Sequence, residues 1–240
     1  MGIQTVFERY ELKYMLTERQ AALLKNEMKE RMCEDPYGES LVCNLYFDTP
    51  DYLLIRRSLE GPVYKEKLRL RSYGVVGKDG TVFPEIKKKY KGIVYKRRIV
   101  MTDGKAEECL SGKEPLPDTQ IGHEISYCFV RYRDLKPRVY ISYEREGYFD
   151  RAGSPFRMTF DRNILWRTDD LTLCGKVYGT AILPEDRVLL EVKTSDSVPV
   201  WLAHFLAQNG VYRTSFSKYG CAYCSMIGED MGRGGLQHAS

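Results

Sequence analysis

The sequence predicts an α+β fold dominated by antiparallel strands, and three observations carry that reading. Residues 63–73, 82–90 and 93–101 each alternate in character with period two, as half-buried strands do. Gly77-Lys78-Asp79-Gly80 and Lys91-Gly92 lie between them as turn sequences, so the three form an antiparallel meander. Helical patterns interrupt the strands without the regular strand, helix, strand rhythm of a parallel sheet.

Taken in order, a short strand containing Lys13 comes first. Thr17 and Gln20 then make a capping box for a helix to about Met32, with Leu24, Met28 and Met32 at helical spacing. Beyond Pro36 and Gly38, residues 41–47 form an apolar and aromatic strand that Asp48-Thr49-Pro50 ends. A short helical or irregular piece through Leu53 and Ile55 leads into the meander. Asp118 is placed to cap a helix whose stripe is Ile121, Ile125, Phe129 and Tyr132, with Pro137 beyond its end. Strands follow at 138–149, 156–162 and 188–194. A helix runs from about Pro199 to Gln208 and stops at Gly210, and a last one begins after Ser217. Residues 1–227 read as a single domain and 228–240 as a loose tail.

Composition excludes several classes. The 240 residues are 43% hydrophobic and 29% charged, ordinary for a globular chain. The net charge is only +4, so a strong anion site must come from how the cations are arranged. The N-terminus has no basic region followed by an apolar run, and no segment is long and apolar enough to span a bilayer, which predicts a cytoplasmic protein. Seven scattered cysteines, an odd number, read as reduced thiols rather than a disulfide framework.

The charge pattern of the strands is the most informative feature. Lys65, Lys67, Arg69 and Arg71 occupy alternate positions and therefore share one strand face. Glu85, Lys87 and Lys89 share another, and Lys96 and Arg98 repeat the pattern on the next strand. Like charges opposite one another destabilise a sheet, and a bound polyanion would offset that cost. Same-face residues recur about every 6.6 Å along a strand, a pitch suited to following a phosphate chain. Arginine adds bidentate recognition of phosphate oxygens and lysine a mobile point charge. Taken singly, each strand reads better as the solvated face of a two-faced sheet with Leu68, Leu70 and Ile86 turned to the core, a reading that weakens once the other strands are included. Leu189, Glu191 and Lys193 alternate against Val188, Leu190 and Val192, setting one carboxylate among cations. Such an acid suits a hard divalent ion bridging phosphates, with a plain salt bridge as the competing reading. Ser217 and Lys218 open the last helix, where free N–H groups favour anions and where Ser217 also serves as an ordinary cap.

Tyr10-Glu11-Leu12-Lys13-Tyr14, Leu68-Arg69-Leu70-Arg71, Phe83-Pro84-Glu85-Ile86-Lys87, Leu190-Glu191-Val192-Lys193 and Ser215-Phe216-Ser217-Lys218-Tyr219 together resemble the VTC domain, the polyphosphate polymerase domain of the vacuolar transporter chaperone family. That family belongs to the triphosphate tunnel metalloenzymes of the CYTH-like superfamily. The resemblance implies a closed antiparallel β-barrel, a tunnel, flanked by helices. It implies transfer of the ATP γ-phosphate onto a growing polyphosphate chain with Mn²⁺ or Mg²⁺. Lys13, Arg69, Arg71, Lys87, Lys89, Lys96, Arg98, Arg145, Arg157, Lys193 and Lys218 would bind substrate, with Ser217 at the helix terminus. Arg69, Lys218 and Glu191 would be catalytic, and Glu191 with Glu11 would hold metal. Such chemistry needs positioning and charge neutralisation rather than a protein nucleophile.

Related triphosphatases and cyclases carry Glu-x-Glu-x-Lys on the first strand, where this chain has Arg9-x-Glu11-x-Lys13, a departure that favours a polymerase. The fungal proteins also carry an N-terminal phosphate-sensing domain and C-terminal membrane helices; these 240 residues show neither pattern, and a membrane partner protein is left unknown. The alternatives are a triphosphatase or nucleotide cyclase of the same fold, and a non-catalytic sensor or binding module for polyphosphate or nucleic acid. Nucleic acid is not expected as a partner, because strand tyrosines such as Tyr90 and Tyr95 more often pack. Cys221-Ala222-Tyr223-Cys224 lacks the further ligands of a zinc site, and no phosphate-binding Gly-rich loop is present.

Overall fold

The computed structural model describes residues 6–91, 93–195 and 197–228, with side chains from Tyr10 onward. Gly92, the side chain of Arg9 and the tail from residue 229 lie outside the described residues. The described residues divide into two compact units, one drawn from residues 6–8, 41–91, 93–142 and 165–180, the other from residues 9–40, 143–164, 181–195 and 197–228. Ten strands and six helices are described, and every strand register below is antiparallel. The α+β class and antiparallel pairing are as expected; closure of a barrel is not established by these registers.

The elements follow the chain as β1 (Val6–Thr17), α1 (Glu18–Met28), β2 (Met32–Asp48), α2 (Leu53–Leu59), β3 (Tyr64–Tyr73), β4 (Thr81–Tyr90), β5 (Ile93–Arg98) and β6 (Met101–Thr102). They continue as α3 (Asp103–Leu110), α4 (Gln120–Arg131), β7 (Lys136–Asp150), β8 (Arg157–Arg167), β9 (Thr180–Ala181), β10 (Arg187–Thr194), α5 (Val200–Gln208) and α6 (Lys218–Met226).

In the first unit the meander is present. β2 pairs with β3, β3 with β4, and β4 with β5 and β6, and the β3–β4 turn closes with Gly80 N donating to Gly77 O at 2.8 Å. Period two sends Leu68, Leu70 and Ile86 into a core with Leu45, Phe47, Ile125 and Tyr140. Helix α4 covers that core with Ile125, Cys128 and Tyr132. Its cap is Thr119, whose hydroxyl accepts from Gly122 N at 3.1 Å, and not Asp118. The Asp118 carboxylate instead reaches His123 at 2.8 Å. Helix α3 was not anticipated; Thr102 caps it, and Ala106, Cys109 and Leu110 are its buried side.

In the second unit β10 is flanked by β1 and β8. Val188, Leu190 and Val192 turn to a core shared with Leu16, Leu24, Met28 and Phe160. The capping box of α1 is present, Gln20 N bonding Thr17 Oγ1 at 3.2 Å and Thr17 N bonding Gln20 Oε1 at 2.9 Å. The helix ends at Met28, four residues before the expected Met32, because Arg31 N turns back to Met28 O at 2.9 Å and Met32 already begins β2. β2 therefore starts nine residues before the expected Leu41. Its first half, exposed to half-buried beyond Met32, admits Pro36 and Gly38, the latter at φ +58°, where a complete ladder is not required.

Candidate functional site

Two clusters of charge are built on the strand faces opposite the cores, one in each unit. In the first unit, alternation on β3 and β4 turns Arg69, Arg71 and Glu85 away from Leu68, Leu70 and Ile86. Arg69 stands opposite Glu85, which stands opposite Arg98 on β5, and Lys67, Lys87 and Lys96 are neighbours across the three strands. Lys65 and Lys89 form the next pair.

Glu85 is fully buried. Its Oε2 accepts from Arg69 Nε and Nη2, each at 2.7 Å, and lies 3.8 Å from Arg71 Nε. Lys96 Nζ is 2.7 Å from Oε1. Neighbours hold the arginines in place: Arg71 Nε donates to Asn44 Oδ1 at 2.9 Å and Arg69 Nη1 to the Tyr46 hydroxyl at 3.2 Å. The Arg98 guanidinium lies 4.7 Å from the centre of the Phe83 ring, a cation–π distance. Burial pushes the Glu85 carboxyl up, but Arg69, Arg71 and Lys96 outweigh it and hold the carboxyl far below the usual range. Burial, with Arg71 and Arg69 nearby, pulls Lys96 well below an ordinary lysine against the opposing pull of Glu85.

In the second unit, Lys13 on β1 is opposite Glu191 on β10, which is opposite Thr159 on β8. Glu11 is opposite Lys193, and Lys193 opposite Arg157. Strand β1 also recruits the segment before α6: Thr214 N bonds Lys13 O at 2.8 Å, Lys13 Nζ bonds Phe216 O at 2.7 Å, and Tyr14 bridges to Arg213. That anchoring brings Lys218, the first residue of α6, to the same carboxylates.

Lys218 Nζ donates to Asp161 Oδ2 at 2.5 Å and to Glu191 Oε1 at 3.2 Å. Arg145 from β7 makes a bidentate fork with Asp161, both bonds 2.6 Å, and Nη2 reaches Glu191 Oε2 at 3.0 Å. Lys13 and Lys193 complete the ring around Glu191 at 3.8 and 3.6 Å. The Tyr143 ring lies 4.5 Å from Lys218 Nζ and 5.0 Å from the Arg145 guanidinium. Burial opposes ionisation of Glu191, yet Lys218, Arg145, Lys13 and Lys193 together hold its carboxyl well below the usual value. Asp161 is held down in the same way, against burial, by Arg145 and Lys218. Burial works against the Lys218 ammonium, and Asp161 and Glu191 reverse it and raise its pKa.

The residues singled out in the sequence thus fall into two groups, Arg69, Arg71, Lys87, Lys89, Lys96 and Arg98 in one unit and Glu11, Lys13, Arg145, Lys193, Lys218 and Glu191 in the other. Arg157 shares the strand face of Lys193, but its guanidinium is tied to Asp35 at 2.6 Å. Ser217 caps α6, its hydroxyl accepting from Gly220 N at 3.1 Å. Among the described residues no group of three or more His, Cys, Asp or Glu could hold a metal ion, and none of the seven cysteines is in a disulfide.

Sequence reasoning missed Asp161 and gave Glu85 no role. Both carried a usable signal, a lone acid in phase with cations on a strand. The same signal did single out Glu191.

The chain belongs to the VTC domain family, whose model matches residues 8–227. A candidate adenylate cyclase from Bacillus halodurans is similar at a TM-score of 0.58 and 12% identity, covering 89% of this chain and 96% of its own. A candidate adenylyl cyclase from Hippeastrum, described as having a dominant triphosphatase activity, gives 0.56 at 16% identity, covering 96% and 100%. At these identities the likeness speaks for the fold. No curated protein matches. No helix among the described residues is long and apolar enough to cross a membrane.

Proposed function

We propose that the chain is a cytoplasmic polyphosphate polymerase that transfers the ATP γ-phosphate to the end of a polyphosphate chain. In this reading residues 1–227 act as one domain and the strands close into the tunnel that its family implies. The observation that carries the reading is the convergence of Lys13, Arg145, Lys193 and Lys218 on the single carboxylate of Glu191. Repelling cations gathered on one buried face is the arrangement expected where a polyanion binds, and phosphoryl transfer asks mainly for such positioning and charge neutralisation.

Arg69, Arg71, Lys87, Lys89, Lys96 and Arg98 would grip further phosphate groups, with Arg157 a further contact from β8 once released from Asp35 and Ser217 setting the direction of α6. Glu191 and Glu11 are the carboxylates that would hold a divalent cation, since hard ions take one or two carboxylates plus substrate. When bound, Mn²⁺ or Mg²⁺ would supply charge neutralisation for the phosphate groups. Purified protein given ATP and Mn²⁺ should yield long, phosphatase-sensitive polyphosphate; release of phosphate alone would reject the polymerase.

A second reading, a triphosphatase, is favoured by the activity described for the Hippeastrum protein. In the same assay it predicts hydrolysis of tripolyphosphate without chain growth, whereas a cyclase would give cyclic nucleotide.

A further inference from the structure

Asp161 has no exposed surface, and the reaction as proposed gives it no part. Its position follows from β8: it stands opposite Leu189 on β10, which stands opposite Met15 on β1. Glu191, by contrast, stands between Lys13 and Thr159 and keeps 8% of its surface. The two carboxylates therefore occupy the apolar and the polar ends of one cluster, and the same two cations bridge them.

The donors divide in a telling way. Arg145 uses Nε and Nη2 on Asp161 and Nη2 again on Glu191. A guanidinium has five N–H donors, so the Nη1 pair is left for an incoming oxygen. Lys218 gives one N–H to Asp161 and one to Glu191, and an ammonium has a third donor beyond those two bonds. An oriented bidentate arginine is far more constrained than one held by a single bond.

Resting on the phosphotransferase reading above, we propose that Asp161 is a positioning residue: it clamps Arg145 and Lys218 before substrate arrives, so that their spare donors meet the transferring phosphate in a fixed geometry. Being buried, it does so without touching substrate or metal. Its loss should harm the reaction more than the binding, because small misplacements of a positioned group cost about 100-fold in rate.

The test compares wild type with Asp161→Asn, which keeps shape and removes charge. Steady-state polyphosphate synthesis from ATP and Mn²⁺ should fall about 100-fold in kcat. Affinity for tripolyphosphate, measured by calorimetry, should hold or tighten, since the cluster gains positive charge. An unchanged kcat overturns the proposal, as does affinity that weakens in step with kcat, or activity restored by raising Mn²⁺. Should wild type make no polyphosphate, the phosphotransferase reading fails by itself, and the clamp is judged by NMR of the wild-type protein. There the Arg145 Nε–H signal, assigned with Arg145→Lys, should stay protected from exchange when tripolyphosphate saturates the protein. Loss of protection on loading overturns the clamp, and this measurement also decides if Asp161→Asn does not fold.

Discussion

At Glu85 three cations meet one buried carboxylate, and that imbalance sets the consequences of replacing it. Removing one member of a buried ion network leaves uncompensated charge, at about 3–5 kcal/mol. Glu85→Gln should therefore lower stability by about that amount in denaturant unfolding, with Arg69, Arg71 and Lys96 left facing a neutral amide. If the cations serve a polyanion, tripolyphosphate should raise the melting temperature of Glu85→Gln by more than that of wild type. An equal rise in both would separate Glu85 from the phosphate site. Arg69→Ala and Lys218→Ala should each abolish polyphosphate synthesis in folded protein, read by product gel beside circular dichroism. Glu191→Gln should remove activity and metal dependence together; a fully active Glu191→Gln would exclude its assigned role.

Among the helices, the caps carry separable energies. Thr17→Ala removes the side-chain half of the α1 capping box, the hydroxyl that accepts from Gln20 N, and should cost about 1 kcal/mol of stability while leaving synthesis unchanged, because α1 faces the core of its unit through Ala21, Leu24 and Met28. Ser217→Ala removes the equivalent bond on α6 at a similar cost of about 1 kcal/mol. Its added effect on activity measures what the hydroxyl does beyond capping. Activity lost in proportion to stability in both variants would reduce Ser217 to a cap. The elements most legible in sequence were those with a strong period: the meander, the α1 capping box, and β10 with Val188, Leu190 and Val192 inward. Others were hidden by local signals that packing overrode. Pro36 and Gly38 argue against a strand, yet β2 runs through them because only its second half, from Val42 to Asp48, is continuously buried. Asp118 resembles a cap as well as Thr119 does; the pairing of Asp118 with His123 became visible once the helix had placed the two side by side.

For the whole molecule, pH dependence follows from three depressed carboxyls. Glu85, Asp161 and Glu191 are each held below their ordinary values, and unfolded Asp and Glu titrate at about 3.9 and 4.3. Stability contributed by such groups is fully present above those values and is lost as pH falls towards the folded ones. The denaturation midpoint should hold between about pH 5 and 7 and drop steeply below about pH 4; a midpoint flat to acid would contradict the assigned ionisation. Lys218 works in the opposite sense. Its raised folded pKa gives stability that is present below about 10.4 and lost as pH rises towards the folded value.

Family membership, antiparallel strands and cations in alternate positions were all readable from the linear chain, because periodicity and short ordered motifs are local properties of neighbouring residues. Which carboxylate meets which cation was not. Lys13, Arg145, Asp161, Glu191 and Lys218 come from five separate segments, and their ion pairs depend on strand register and on the anchoring of residues 213–216 against β1. Those are long-range contacts, settled when the cores close and the polar faces of the strands are left to find their partners.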